Sequence, residues 1–234
     1  LKFPTLTEFV NFIFPPECLH CGEILTENNN PFICKNCFGS IKTTTKQLLN
    51  AEKKRKFTGE GLISDFYSHF LFEKEGPLQS LIHQLKYNNK FKIGIFLGQY
   101  IANEASDLIK NWGCDFIIPI PLHPIKKAER GYNQSKQIAK GISQIVNINV
   151  KSNVLKRTRF TQTQTKLNLM ERRNNVKNIF KANPKIVKNK NLLLVDDVIT
   201  TGSTLSSAAK TLKNKGANKI YAISIALAKL TDDI

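Results

Sequence analysis

Long apolar runs are missing from this sequence of 234 residues. None approaches the roughly 18 residues that a membrane-spanning helix needs, so the chain reads as free of membrane spans and cytoplasmic. Its first stretch, LKFPTLTEFVNFIF, lacks the unbroken apolar core of a secretory signal, because Thr7, Glu8 and Asn11 interrupt it. It reads instead as an amphipathic segment packing on the body. Two nucleotide-binding signatures are also absent. No Gly-Lys-Ser or Gly-Lys-Thr opens a helix, and no G-x-G-x-x-G occurs, which excludes a P-loop and a dinucleotide fold. Internal repeats and long low-complexity tracts are lacking too, and the length suits one ordinary domain with a small appendage.

Acids are scarce: 18 Asp and Glu stand against 35 Lys and Arg, a formal charge of +17. The imbalance is uneven. Residues 151–190 hold twelve Lys or Arg, among them Arg157, Arg159, Arg172 and Arg173, against one acid, Glu171. A block of that density selects an anionic partner, either a polyphosphate or a nucleic-acid backbone. The scattered Lys elsewhere reads as solvated surface.

Cysteine is rare but concentrated. Four of the five form two pairs, Cys18-Leu-His-Cys21 and Cys34-Lys-Asn-Cys37. A two-residue gap lets both sulfurs of a tight knuckle reach one ion, and two knuckles complete a tetrahedral shell. Zinc in a structural ribbon is the expectation, with iron in the same four-thiolate site as the alternative. Disulfides fit poorly, since nothing points to export. His20, inside the first knuckle, reads as a bystander to four thiolates, and Cys114 as core.

The pairs mark a zinc-ribbon module at residues 1–45. A linker follows at 46–61, whose run Lys53-Lys54-Arg55-Lys56 reads as solvated. From 62 to 234 the pattern is α/β. LISDFYSHFLFE alternates like a strand, PLQSLIHQLKY and KIGIFLGQYIANEASDLIK are helical, and DFIIPIPL reads as a buried strand. NQSKQIAKGISQIVN is an amphipathic helix. NLLLVDDV, LSSAAKTLKNKG and KIYAISIAL form a strand–helix–strand unit that predicts a parallel sheet covered by helices.

The chemistry concentrates in LLLVDDVITTGST, residues 192–204. An apolar strand delivers Asp196 and Asp197 at its carboxyl end, the edge at which open parallel sheets bind ligands. A Thr- and Gly-containing loop then enters a helix, whose unpaired N–H groups and dipole favour a phosphate. Gly202 permits close backbone approach, and Thr200, Thr201, Ser203 and Thr204 offer hydroxyls. Two adjacent carboxylates beside such a cradle can accept hydrogen bonds from the vicinal hydroxyls of a ribose, so the pattern suits a ribose 5-phosphate.

The motif resembles the 5-phosphoribosyl 1-pyrophosphate (PRPP) signature of type I phosphoribosyltransferases. That resemblance implies that Asp196 and Asp197 hold the ribose hydroxyls and residues 200–204 the 5-phosphate. CLHCG…CKNC, HQLKY, PIPLHP…RGYNQ and RTRFTQTQTKLNLMERRNNVKNIF, in this order, resemble the ComF/GntX family, which includes competence proteins linked to DNA uptake in natural transformation. A more distant likeness runs to the transferase domain of amidophosphoribosyltransferase. The implied fold is the type I phosphoribosyltransferase fold with a basic flap. The implied pyrophosphate contacts are Arg130, Gly131 and Tyr132, joined by Lys86 and Tyr87. Asn133 reads either as a further contact or as a helix cap. Flap residues Arg157, Arg159, Gln164, Arg172 and Arg173 would close over the leaving group. Implied ligands and partners are PRPP with magnesium, single-stranded DNA, and a DNA-uptake helicase or another competence protein. Whether the chain transfers the ribosyl group or only binds PRPP stays open at this point.

Overall fold

A computed structural model describes residues 15–25, 30–57, 61–158 and 179–228. The N-terminal segment and the flap candidates Arg159, Gln164, Arg172 and Arg173 lie outside the described residues. Helices α1 (Lys35–Gly39) and α2 (Lys46–Phe57) precede strand β1 (Asp65–Phe72). Helices α3 (Pro77–Tyr87), α4 (Lys92–Glu104) and α5 (Ser106–Asn111) lead to β2 (Phe116–Pro119), then α6 (Pro124–Arg130) and α7 (Gln134–Val146). A short pair, β3 (Leu155–Arg157) and β4 (Phe180–Ala182), is followed by α8 (Pro184–Val187), β5 (Leu192–Ile199), α9 (Ser203–Lys213) and β6 (Ile220–Ala228). No helix among the described residues is long and apolar enough to cross a membrane.

The sheet has the order β1-β6-β5-β2, and every pairing in it is parallel. Such a sheet needs cover on both faces, and side-chain alternation along a strand supplies both. Leu193 and Val195 point into one core with Ile138 and Ile142 of α7 and Leu97 and Ile101 of α4. Leu192 and Leu194 point into the other with Leu205, Ala208 and Leu212 of α9. Helices α4 and α7 cross at Gly98 and Gly141, where an added Cβ would collide with the backbone carbonyls of Ile138 and Ile95.

The stretch expected as one helix from Lys92 is two, because the backbone at Ala105 (φ −116°, ψ 20°) leaves helical values. The basic excursion is tied at its base. Strands β3 and β4 pair antiparallel, and the Thr158 amide donates to the Ile179 carbonyl at 2.8 Å. Three-residue strands carry too little periodicity to be read from sequence. The borders of the sheet have company as well. Residues 42–44 run beside β1, with Leu71 N–H on the Lys42 carbonyl and Thr44 N–H on the His69 carbonyl, both at 2.8 Å. On the opposite border Ile117 exchanges hydrogen bonds with Asn149 (3.0 Å) and Lys151 (2.8 Å).

The cysteine-bearing module docks on the first core, to which Cys18, Leu25, Ile33 and Cys34 contribute buried side chains. The Phe38 ring meets Tyr100 edge-on at 4.9 Å and Phe70 at 5.9 Å. Cys114 is buried, as expected. The run Lys53–Lys56 is solvated at Lys54 and Arg55, as expected, but it is no tether: it forms the end of α2, which packs on the second core through buried Phe57. Leu48 and Leu49 are adjacent rather than spaced by a turn, so this helix shows no apolar stripe in the sequence.

Candidate functional site

Strand β5 carries Asp196 and Asp197 to the carboxyl edge, where the start of α7 meets them. Ser135 Oγ donates to Asp196 Oδ1 at 3.1 Å, and Gln134 Nε2 lies 3.5 Å from Asp197 Oδ2. The Asp197 amide donates to Asp196 Oδ1 (3.0 Å) and the Val198 amide to Asp197 Oδ1 (2.9 Å). From α3, Lys86 Nζ pairs with Asp197 Oδ2 at 2.9 Å. These surroundings split two chemically equal groups. Burial, then the charge of Asp197, pushes the Asp196 carboxyl up to about 8. Burial acts on Asp197 in the same sense, but the Lys86 ammonium outweighs it and holds that carboxyl below the usual range. Arg157, at the base of the basic excursion, lies near enough for its charge to act on Asp196.

The loop after β5 presents Thr200, Thr201 and Ser203 to solvent, with Thr204 half-buried. Thr201 Oγ1 donates to Ser203 Oγ at 3.0 Å and accepts from the Ser203 amide at 3.3 Å. Gly202 caps α9 with φ 77°, a left-handed value that favours glycine. The close approach it permits is to the protein itself, since a Cβ there would lie 2.8 Å from Phe57 Cε1. Lys56 Nζ donates to the Thr200 carbonyl. Neither α2 contact was visible in the sequence, where Lys56 was one cation in a charged run.

Lys86, Tyr87, Arg130, Gly131 and Tyr132 gather on one rim. The Arg130 guanidinium lies 5.3 Å from the centre of the exposed Tyr87 ring, a cation–π contact. Gly131 (φ 73°) makes the left-handed turn between α6 and α7. Tyr132 points inward and donates its hydroxyl to the Leu85 carbonyl of α3, tying this loop to the helix that carries Lys86. Asn133 is a helix cap: its Oδ1 accepts from the Ser135 amide at 3.0 Å and its Nδ2 donates to the Ile120 carbonyl at 2.9 Å. Sequence reasoning missed Ser135 and Gln134 as partners of the acids. The available signal was polar side chains on the inward face of α7, where Gln134, Ser135 and Gln137 are all buried.

Away from this edge, the sulfurs of Cys18, Cys21, Cys34 and Cys37 all lie within 4.8 Å of one another. Cys21 and Cys34 sulfurs are 3.8 Å apart, the spacing that tetrahedral metal–sulfur bonds of about 2.3 Å impose and far from that of a disulfide. The Cys37 amide donates to Cys34 Sγ at 3.5 Å, as a knuckle requires. This donor set fits a metal ion such as zinc. His20 is not in the set; its Nδ1 lies 3.1 Å from Ser80 Oγ on α3.

A model of the phosphoribosyl transferase domain matches residues 102–232, more than half of the chain. The chain belongs to the phosphoribosyl transferase domain family. This family member is 29% identical over 243 residues to Competence protein F of Haemophilus influenzae, covering 95% of this chain and all of that one. It is 35% identical over 144 residues to DNA utilization protein YhgH of Escherichia coli O157:H7, covering 60% of this chain and 63% of that one. Amidophosphoribosyltransferase of Escherichia coli K12 is 30% identical over 140 residues, or 60% of this chain and 25% of that enzyme. Within the phosphoribosyl transferase domain family the chain is thus of the ComF/YhgH kind. The family match begins at residue 102, so the thiolate module, α2 and the Lys86-bearing α3 lie ahead of it.

Proposed function

We propose that the chain binds PRPP with magnesium and serves DNA uptake in natural transformation. The observation that carries the first part is the adjacent acid pair at the carboxyl end of β5, held by Ser135 and Lys86 beside a loop rich in amide and hydroxyl donors. In this reading the ribose hydroxyls donate to Asp196 and Asp197, and the 5-phosphate lies against Thr200 to Thr204. The pyrophosphate faces Lys86, Tyr87 and Arg130, with Gly131 and Tyr132 shaping the loop. Magnesium would supply further neutralisation of the pyrophosphate charge. Zinc in the thiolate cluster is structural.

The second part is supported by the names of the relatives, Competence protein F and DNA utilization protein, and by the basic block at 151–190. Single-stranded DNA and a DNA-uptake helicase or another competence protein are the partners proposed. Calorimetric titration of PRPP with magnesium tests the first part: heat is expected from the parent protein and none from an Asp196→Asn, Asp197→Asn double variant. Binding by both, or by neither, would defeat the assignment. For DNA, affinity for a single strand should fall steeply with salt, and a salt-independent affinity would remove that partner.

The Lys86 and Arg130 cations at the rim favour a second reading, an active transferase. A nucleophile would form a bond to ribose C1 as the C1–O bond breaks, and pyrophosphate would leave with the electron pair. Release of pyrophosphate on adding nucleobases, amines or water would separate transfer from binding alone.

A further inference from the structure

We infer that Lys56 is a positioning residue for phosphate binding, acting through the peptide between Thr200 and Thr201. The inference rests on reading that loop as the 5-phosphate cradle. The Lys56 side chain is only 1% exposed, an unusual place for an ammonium. Glu52, itself buried, pairs with it at 3.2 Å and also binds Arg55 at 2.7 Å. Burial works against the Glu52 charge, yet the bonds from Arg55 and Lys56 outweigh it and hold the carboxyl below its usual range. Two cations on one carboxylate leave a net positive charge behind the loop, and an ammonium has donors to spare after pairing with Glu52. One of them goes to the Thr200 carbonyl.

That bond has a directional consequence. In a planar trans peptide the carbonyl and the next amide point to opposite sides. Turning the Thr200 carbonyl toward α2 turns the Thr201 N–H away from it, to the side where Thr200, Thr201 and Ser203 are exposed. The cradle therefore has its amide aimed before any anion arrives, and the net charge of the Arg55–Glu52–Lys56 group adds to the positive end of α9. Phe57 against Gly202 keeps the two elements in contact independently of this bond.

The test is calorimetry on the full chain with two probes, ribose 5-phosphate and magnesium pyrophosphate. Lys56→Met should weaken ribose 5-phosphate binding roughly tenfold, the usual scale for losing one hydrogen bond from a charged donor, and leave pyrophosphate binding unchanged. Lys56→Arg, which keeps a cationic donor, should restore most of the loss. Equal ribose 5-phosphate affinity in parent and Lys56→Met overturns the inference and leaves the PRPP reading standing. Loss of both probes with a lowered melting temperature overturns it in favour of a purely structural Lys56. A parent chain that binds neither probe removes the PRPP reading and the inference with it.

Discussion

On one face of the sheet the thiolate module leans on α4 with the rings of Phe32 and Phe38, meets α3 through His20 and Ser80, and leaves its charged surface to solvent. On the other face α2 leans on the β5–α9 loop with one phenylalanine and a buried ion group. Both pieces lie ahead of the matched family domain, yet each touches an element that bears candidate site residues: α3 with Lys86, and the loop with Thr200. The difference lies in what holds each in place. The module has almost no core of its own, and four converging thiolates can draw its folding free energy from a metal. Helix α2 needs no ion, because Phe57 enters the core of the larger domain.

Metal removal should break the comparison most sharply. Chelation, or Cys34→Ser, is expected to unfold residues 15–25 and 30–41 at a cost of several kcal/mol while the sheet survives. Hydrogen exchange would show protection lost around Ile33 and Ile41 and kept in β5 and β6. An unchanged melting profile would contradict a metal-held module. Next come the two phenylalanines. Phe57→Ala should destabilise the chain by about 3 kcal/mol and weaken ribose 5-phosphate binding, whereas half-buried Phe38→Ala should cost about 2 kcal/mol and leave that binding alone. Urea melts and calorimetry check both, and equal effects on phosphate affinity would erase the distinction between the faces.

That contrast also separates what could be read in advance. The four cysteines, the acid pair and the strand–helix–strand unit around residues 192–228 were legible because each couples a residue type to a spacing. The metal-ready cluster and the parallel sheet formed as expected. Helix α2 was not legible: its contacts depend on a buried Glu52 and Lys56, and burial of a charge has no local signature. Ser135 was hidden for a related reason, since a serine beside a helix cap reads as surface until the acids opposite it are in place. The short β3–β4 pair emerges only from tertiary pairing.

A smaller effect is expected where the two faces meet, at the acids. The Asp196 carboxyl sits at about 8 in the folded chain, above the roughly 3.9 of an unfolded aspartate. The folded state therefore holds this proton more tightly, and the contribution to stability falls as pH rises through that window. Asp196→Asn should flatten this part of the stability–pH curve, measured by melting temperature. A slope unchanged by the substitution would assign it to other groups. The smallest effect belongs to Tyr87→Ala. The ring is exposed, and losing its contact with Arg130 should change stability by about 0.5 kcal/mol or less.

The two segments beside β1 and β2 bear on the behaviour of many copies together. A bare strand at the margin of a sheet is a template on which a neighbouring molecule can add its own strand, the first step of aggregation. Here residues 42–44 occupy one margin and Asn149 to Lys151 the other, each with a single short patch of hydrogen bonds. The cover at β1 follows directly after the thiolate module. If residues 42–44 come loose when the metal is removed, a chain starved of metal loses more than its appendage, because β1 is then bared as an adhesive edge.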